Sequence, residues 1–153
     1  MNRITVIIFF TAILFACNNS SNNSSSTTGK DEPKTHADSL LKDVMDGHDM
    51  AMGKMSKLSS TQKKVQQSID SINKLPEKQK KSAADYKTQL DSLIERLKYA
   101  EFSMNKWMGE FDYDSATKSA NRETYLESEN KKISKVKDAM SEALQKADSL
   151  FKK

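Results

Sequence analysis

The chain has 153 residues, including only 4 Gly, 2 Pro and 1 Cys, so its length suits one small domain. A single cysteine excludes an intramolecular disulfide scaffold, and the scarcity of turn-forming residues excludes a loop-rich β-sandwich. The 25 basic and 21 acidic side chains leave a formal net charge of only +4, which argues against a chain held unfolded by its own charge. A polar, lysine-rich, helix-prone domain remains.

The N-terminal segment carries an apolar run that ends at the cysteine. Arg3 is followed by an almost unbroken apolar stretch from Ile4 to Phe15, which is too short to span a bilayer. The stretch ends in Leu14-Phe15-Ala16-Cys17, which resembles the lipobox of bacterial lipoproteins. The resemblance implies that residues 1–16 are a cleaved signal peptide and that lipid on Cys17 anchors the chain to a membrane. An ordinary secretory signal with a leftover thiol is the alternative.

Residues 17–34 are rich in Asn, Ser and Thr and contain almost no apolar side chain. Such a segment cannot offset its ordering entropy by burial, so we expect a flexible tether behind the lipidated Cys17. The residue after the cysteine is Asn18 rather than Asp, and the first acidic residue is Asp31. On these grounds we expect an outer-membrane lipoprotein that faces the periplasm.

From residue 35 onward, apolar residues recur every three or four positions, a spacing typical of helices that pack at a shallow angle. No stretch alternates with period two, so no sheet is predicted. Pro76 and the Asp- and Ser-rich stretch 112–120 interrupt the pattern, which predicts helices at about 36–74, 77–110 and 120–152. Short links place consecutive helices antiparallel. The expected fold is therefore all-α, an antiparallel up-down-up three-helix bundle over residues 35–153.

Each predicted helix has one apolar seam for the core. The first comprises Leu41, Met45, His48, Met52 and Met55, and shifts by one place before Leu58, Val65, Ile69 and Ile72. The second comprises Ala83, Tyr86, Leu90, Leu93, Leu97, Ala100, Met104, Trp107 and Phe111. The third comprises Leu126, Ile133, Val136, Met140, Ala143, Ala147 and Leu150, with Glu129 at its one polar position.

Three stretches of the chain together resemble a known family. They are Val44-Met45-Asp46-Gly47-His48-Asp49-Met50 with Met52 and Met55, Met104-Asn105-Lys106-Trp107-Met108 with Phe111, and Tyr125-Leu126 leading to Lys132-Ile133 and Val136. This combination resembles small helical lipoproteins of Bacteroidota, many of which carry the label "viral A-type inclusion protein", a label that reflects coiled-coil character. The resemblance covers nearly all of residues 38–151, although Asp43 stands where the family has Glu. It implies a secreted helical lipoprotein and no established activity.

A cluster of soft ligands is predicted where the first two helices fold back on each other. If the hairpin turns at Leu75–Pro76, one level of the bundle brings together Met45, His48, Met52, Met104 and Trp107, with Met108 as a further candidate. Thioethers and imidazole are ligands that Cu(I) selects, and the set is similar to some periplasmic copper chaperones. Haem with His/Met ligation is a weaker alternative, because no attachment motif is present. The simplest interpretation is core packing, since Met fills irregular gaps and packs well against Trp.

The remaining sequence features favour a binding or structural role. No Gly-rich phosphate loop, His-Glu-x-x-His, Gly-x-Ser-x-Gly or Cys-x-x-Cys motif is present, so we do not expect an enzyme. The lysines are spread opposite acidic residues, which indicates a solvated surface rather than a nucleic-acid interface. We therefore expect a non-enzymatic envelope lipoprotein that needs no cofactor. It would act through contact with another envelope protein or through self-association, since small bundles with few large apolar residues often need a partner.

Overall fold

The computed structural model describes residues 35–152, which fold into five α-helices that pack together. These are α1 (His36–Asn73), α2 (Glu77–Ser82), α3 (Ala84–Glu110), α4 (Tyr113–Thr117) and α5 (Arg122–Phe151). No strand occurs among these residues, so the all-α prediction is confirmed. The predicted signal peptide, Cys17 and the tether lie outside the described residues. None of the helices within 35–152 is long and apolar enough to cross a membrane.

Local chemistry sets both ends of α1. The hydroxyl of Thr35 accepts a hydrogen bond of 3.1 Å from the backbone N–H of Asp38, which satisfies a donor that lacks a partner inside the helix. The Asp38 carboxylate also lies in the first turn, where it interacts favourably with the helix dipole. At the other end α1 stops at Asn73, three residues before Pro76, which has no N–H to continue the helical hydrogen bonds.

The buried side of α1 follows a seven-residue repeat without interruption. Six residues spaced seven apart are all buried: Ala37, Val44, Ala51, Leu58, Val65 and Ile72. Two further residues on this side, Gly47 and Ile69, are buried as well. An unbroken heptad needs no shift of register, so the shift predicted before Leu58 is wrong.

The residues predicted for the first half of the α1 seam therefore do not lie on the buried side of the helix. Leu41, Met45, His48 and Met55 are only partly buried, and Met52 is exposed. The difference arises from side-chain size. A Cβ placed on Gly47 would lie 3.1 Å from Cγ2 of Ile133 on α5, so the absence of a side chain at this position lets the two helices pack closely there.

The helix predicted over residues 77–110 is interrupted at Ala83, which separates α2 from α3. Residues Glu77–Ser82 are polar and none of them is buried, so no apolar face holds this turn in line with α3. Of the predicted second seam, the positions from Leu90 to Trp107 are buried, whereas Tyr86 is exposed and Ala83 and Phe111 are only partly buried. All the predicted seam positions of α5 are buried. Glu129 is the only buried polar side chain among the described residues.

The loop predicted over residues 112–120 contains the short helix α4. The Asp112 side chain caps it by accepting hydrogen bonds from the Asp114 N–H at 3.0 Å and the Ser115 hydroxyl at 2.6 Å. The Ser115 hydroxyl lowers the pKa of Asp112, because hydrogen bonds to a carboxylate favour its charged form. Ala116 is fully buried and belongs to the main core. Together with Phe111, which packs against the same core, it ties the connection between α3 and α5 to the domain.

The long helices α1, α3 and α5 contact one another pairwise. Between α1 and α5 the residue numbers of the hydrogen-bonded partners increase along both helices, from Asp38–Arg122 through Lys54–Ser141 to Lys57–Asp148. Between α1 and α3 the residue numbers of the contacting partners increase on one helix while they decrease on the other: His48 lies beside Trp107, and Gln62 is bonded to Glu101. These pairs fix the register at which the site residues meet.

Candidate functional site around Trp107

Trp107 is a buried residue near the end of α3 and is held by a polar partner on α5. Its indole Nε1–H donates a hydrogen bond of 2.9 Å to Oε2 of Glu129, whose exposed fraction is 2%. The other carboxylate oxygen, Oε1, accepts a hydrogen bond of 2.7 Å from the Lys132 ammonium group. This contact raises the pKa of Lys132, since a carboxylate favours the charged amine. Both polar ends of the pair are therefore satisfied, and the indole ring is fixed in place.

A row of four aromatic rings runs outward from this pair. The ring centroids lie 5.8 Å apart for His48 and Trp107, 5.0 Å for Trp107 and Phe111, and 6.1 Å for Phe111 and Tyr125. All three pairs are tilted, an arrangement that aromatic quadrupoles favour. The Tyr125 hydroxyl accepts a hydrogen bond of 2.7 Å from the Asp112 N–H, and burial raises the pKa of Tyr125. The row thus links α1, α3, the following connection and α5.

Two sulfur side chains border one part of this row. A cavity of about 280 Å³ is lined by Met45, His48, Trp107, Met108 and Phe111, and we call it the Met/His pocket. Nδ1 of His48 lies 2.8 Å from Oδ1 of Asp49, which makes Nε2 the ring nitrogen left for another partner. The lining therefore offers two thioethers, one imidazole nitrogen and two aromatic faces.

The structure brings together only part of the metal cluster predicted from sequence. Met45, His48 and Trp107 share the Met/His pocket. Met104 is fully buried in the core and Met52 is exposed, and neither lines the pocket. Their places are taken by Met108 and Phe111, one and four residues beyond Trp107 on the chain. The predicted lipidation site, Cys17, lies outside the described residues.

Sequence reasoning recognised Glu129 as a polar seam position but did not assign it a role. A usable signal was present, because a carboxylate in an apolar seam needs a donor and Trp107 supplies an N–H that also needs a partner. The position of each residue along its helix could be estimated from the sequence, because the hairpin fixes which residues lie side by side. The rotation of α3 relative to α5, which directs the indole N–H toward the carboxylate, could not be estimated from the sequence.

A second cavity, of about 470 Å³, lies between α3 and α5. We call it the α3–α5 groove; its lining comprises Tyr99, Phe102, Ser103, Lys106, Trp107, Glu110, Lys132, Lys135 and Val136. Tyr99 and Phe102 are 64% and 61% exposed, which is unusual for large aromatic side chains. Lys106 pairs with Glu110 and lowers the pKa of that carboxyl. The groove therefore combines exposed aromatic surface with a rim of mainly positive charge.

Among residues 35–152 no group of three or more His, Cys, Asp or Glu side chains is arranged to hold a metal ion. A site built from methionine thioethers and one imidazole differs from such a group, because His48 is its only ligand of the types His, Cys, Asp or Glu.

Comparison with known proteins yields no matching family model, no matching curated protein and no matching solved structure. The resemblance to Bacteroidota lipoproteins therefore stays a prediction.

Proposed function

We propose that this protein is a non-enzymatic lipoprotein of the bacterial envelope, whose helical domain binds an acidic, amphipathic segment of another envelope protein in the α3–α5 groove. The observation that carries the proposal is the pair of exposed aromatic side chains, Tyr99 and Phe102, beside a cavity of about 470 Å³. Aromatic residues are enriched where proteins bind each other, because they bury a large area at low entropic cost.

The proposed domain is an antiparallel up-down-up three-helix bundle built from α1, α3 and α5. The residue numbers of the hydrogen-bonded partners on α1 and α5 increase in the same direction, which supports a parallel arrangement of the first and third long helices. The opposite order of the His48–Trp107 and Gln62–Glu101 pairs supports an antiparallel arrangement of α1 and α3. Lipid on Cys17 and the tether over residues 17–34 would hold this bundle close to the outer membrane on its periplasmic side.

Charge identifies the kind of partner that fits the groove. Three lysines line the groove, and two of them pair with Glu110 and with Glu129, so the groove carries only a small net positive charge. An amphipathic partner segment with Asp or Glu beside its apolar residues would complement this pattern. A basic segment would meet like charge at the rim, which is unfavourable. The same lysines are too few and too well paired to indicate a nucleic acid.

Photo-crosslinking in intact cells tests the proposal. A photoreactive phenylalanine analogue at position 99 or 102 should give a discrete adduct with one other envelope protein. The matched control is position 113, because Tyr113 is 62% exposed yet does not line the groove. We expect no such adduct from position 113, since an exposed ring outside the groove lacks the surrounding cavity.

The adduct must also map to the expected chemistry. Mass spectrometry of the crosslinked peptide should identify an acidic, amphipathic segment, and Lys135→Glu should reduce the yield by reversing one rim charge. Equal adducts from positions 102 and 113 would overturn the proposal. An adduct with a second copy of this chain would instead establish self-association as the use of the groove.

A further inference from the structure

We propose that the Met/His pocket is a Cu(I) site, in which the sulfur atoms of Met45 and Met108 and Nε2 of His48 bind the ion beside the Trp107 indole. This inference goes beyond the proposed protein contact and does not depend on it. It also differs from the ligand set that the sequence alone suggests, because Met108 is retained and Met52 and Met104 are not.

The chemistry of the lining selects the ion. Thioether sulfur and neutral imidazole are soft or borderline ligands, and Cu(I) is the common biological ion that prefers them. Neither a carboxylate nor a thiolate belongs to the lining as the structure describes it, so the pocket offers none of the anionic oxygen ligands that Mg²⁺ or Ca²⁺ requires. Three neutral ligands suit a monovalent ion of low coordination number.

The supporting contacts orient the ligands. Asp49 Oδ1 lies 2.8 Å from Nδ1 of His48, and a carboxylate on one ring nitrogen is the usual way in which proteins orient a metal-binding histidine through the other. The Glu129 hydrogen bond fixes the Trp107 ring, whose centroid lies 5.8 Å from that of His48. An indole face at this position offers a cation–π contact to the bound ion.

The exposure of the sulfur ligands argues against simple core packing. Met108 is 37% exposed and Met45 is only partly buried, whereas Met104 and Met140 are fully buried in the core. A methionine that fills a gap in a core loses its contact with water, as Met104 does. Met45 and Met108 instead border a cavity that an ion can enter.

Anaerobic competition for Cu(I) against the chromophoric chelator bicinchoninate tests the site. The full-length protein is used with Cys17→Ser in every variant, because a free thiol would bind Cu(I) by itself. We expect one Cu(I) per chain, with quenching of the fluorescence of Trp107 that saturates at the same ratio. Met45→Leu and Met108→Leu should each weaken binding at least tenfold, since each removes one of three ligands.

Met52→Leu is the matched control, because Met52 lies on the same helix as Met45 but does not line the pocket. It should leave the affinity for Cu(I) unchanged, and all three Leu variants should keep the helical circular dichroism of the parent, since Met-to-Leu exchange nearly conserves volume. Asp49→Ala should weaken binding by about tenfold at unchanged stoichiometry. Failure of the parent protein to compete for Cu(I), or equal losses from Met52→Leu and Met108→Leu, would overturn the proposal.

Discussion

The indole N–H of Trp107 on α3 donates a hydrogen bond of 2.9 Å to the carboxylate of Glu129 on α5, the one polar side chain buried among the described residues. This bond joins two helices inside an otherwise apolar core. It also fixes the ring that contributes to both the Met/His pocket and the α3–α5 groove. A buried polar pair of this kind specifies one rotation of the two helices, because any other rotation leaves both groups without partners.

Glu129→Leu should therefore lower the free energy of unfolding by about 1–3 kcal/mol, since the Trp107 N–H then stays buried without an acceptor. Glu129→Gln keeps an acceptor oxygen and should cost clearly less. The double variant Trp107→Phe/Glu129→Leu removes both groups, so the two losses should not add, and the coupling energy should be about 1 kcal/mol or more. Urea unfolding followed by circular dichroism measures all of these, because the variant without Trp107 has no tryptophan fluorescence. Strictly additive losses would contradict the prediction.

Lys132 tests the charge of the same cluster. Its ammonium group also bonds Glu129, and its own side chain is 53% exposed while that of Glu129 is 2% exposed. Lys132→Met therefore leaves a buried carboxylate without its counter-charge, and it should cost more than the roughly 1 kcal/mol or less that a fully exposed ion pair contributes. A loss below about 1 kcal/mol would mean that the Glu129 carboxylate does not need the lysine.

The predicted lipid anchor rests on a single atom, the sulfur of Cys17. Cys17→Ser should abolish labelling of the protein by radioactive palmitate and release it from the membrane fraction, because no other attachment is expected in the chain. Mass spectrometry of the parent should find an acylated N-terminus at residue 17. Palmitate labelling that persists in the serine variant would refute the lipidation site.

The ion pair between Asp38 and Arg122 joins the first turns of α1 and α5, with Oδ1 and Nη2 2.6 Å apart. The hydrogen bond from Arg122 lowers the pKa of Asp38 below its ordinary value of 3.8. A carboxyl with a lowered pKa stabilises the folded state above its unfolded-state pKa, and this contribution is lost as the pH falls through the lower folded-state value. The protein should therefore lose stability below about pH 4.

Asp38→Asn isolates the contribution of this pair from those of Asp112 and Glu110, whose pKa values are also lowered. The variant should be less stable than the parent at pH 7, and the difference should shrink as both proteins are acidified. Thermal unfolding at a series of pH values from 7 to 2 measures the difference. A difference in stability that is constant over this range would show that the charge of Asp38 has no part in it.

The sequence sufficed for the all-α class and for the buried seams of α3 from Leu90 onward and of α5, because large apolar residues at heptad spacing mark those seams directly. It did not suffice for the first half of α1. There the largest apolar side chains, such as Met45 and Met52, do not lie deepest. The small residues Gly47 and Ala51 are buried instead, and a Cβ on Gly47 would lie 3.1 Å from Ile133 on α5. A prediction based on hydrophobicity alone therefore places the seam of this half of α1 on the larger side chains, which is wrong.

The candidate site shares that limit. Met45, His48 and Trp107 could be assigned to one level, since the hairpin fixes the level of each residue along the helices. Which methionine completes the pocket depends on the rotation of α1 and α3 about their axes. That rotation follows from small contacts, such as Gly47 against Ile133, and from the buried Glu129 bond. Spacing alone therefore named both Met104 and Met108 for this level and could not show that only Met108 lines the pocket.

Two glycines on α1 test how close α1 and α5 are. Nothing lies within 4 Å of a Cβ built on Gly53, whereas a Cβ on Gly47 would lie 3.1 and 3.2 Å from Cγ2 and Cγ1 of Ile133. Gly53→Ala should therefore raise the free energy of unfolding by about 0.5–1 kcal/mol, which is the helix-propensity gain alone. Gly47→Ala gains the same propensity but must push a buried, β-branched side chain, and overpacking of this kind costs about 1–3 kcal/mol.

We therefore expect a net loss of stability for Gly47→Ala and a gain for Gly53→Ala, each measured by urea unfolding. Ile133→Ala removes both atoms that the new Cβ would meet, at a cost of about 2–5 kcal/mol by itself. In that background Gly47→Ala should become stabilising, because the contact that opposed it is gone while its helix propensity remains. If Gly47→Ala stabilises the parent protein as much as Gly53→Ala does, α1 and α5 do not approach each other at Gly47 as closely as the 3.1 Å contact with Ile133 implies.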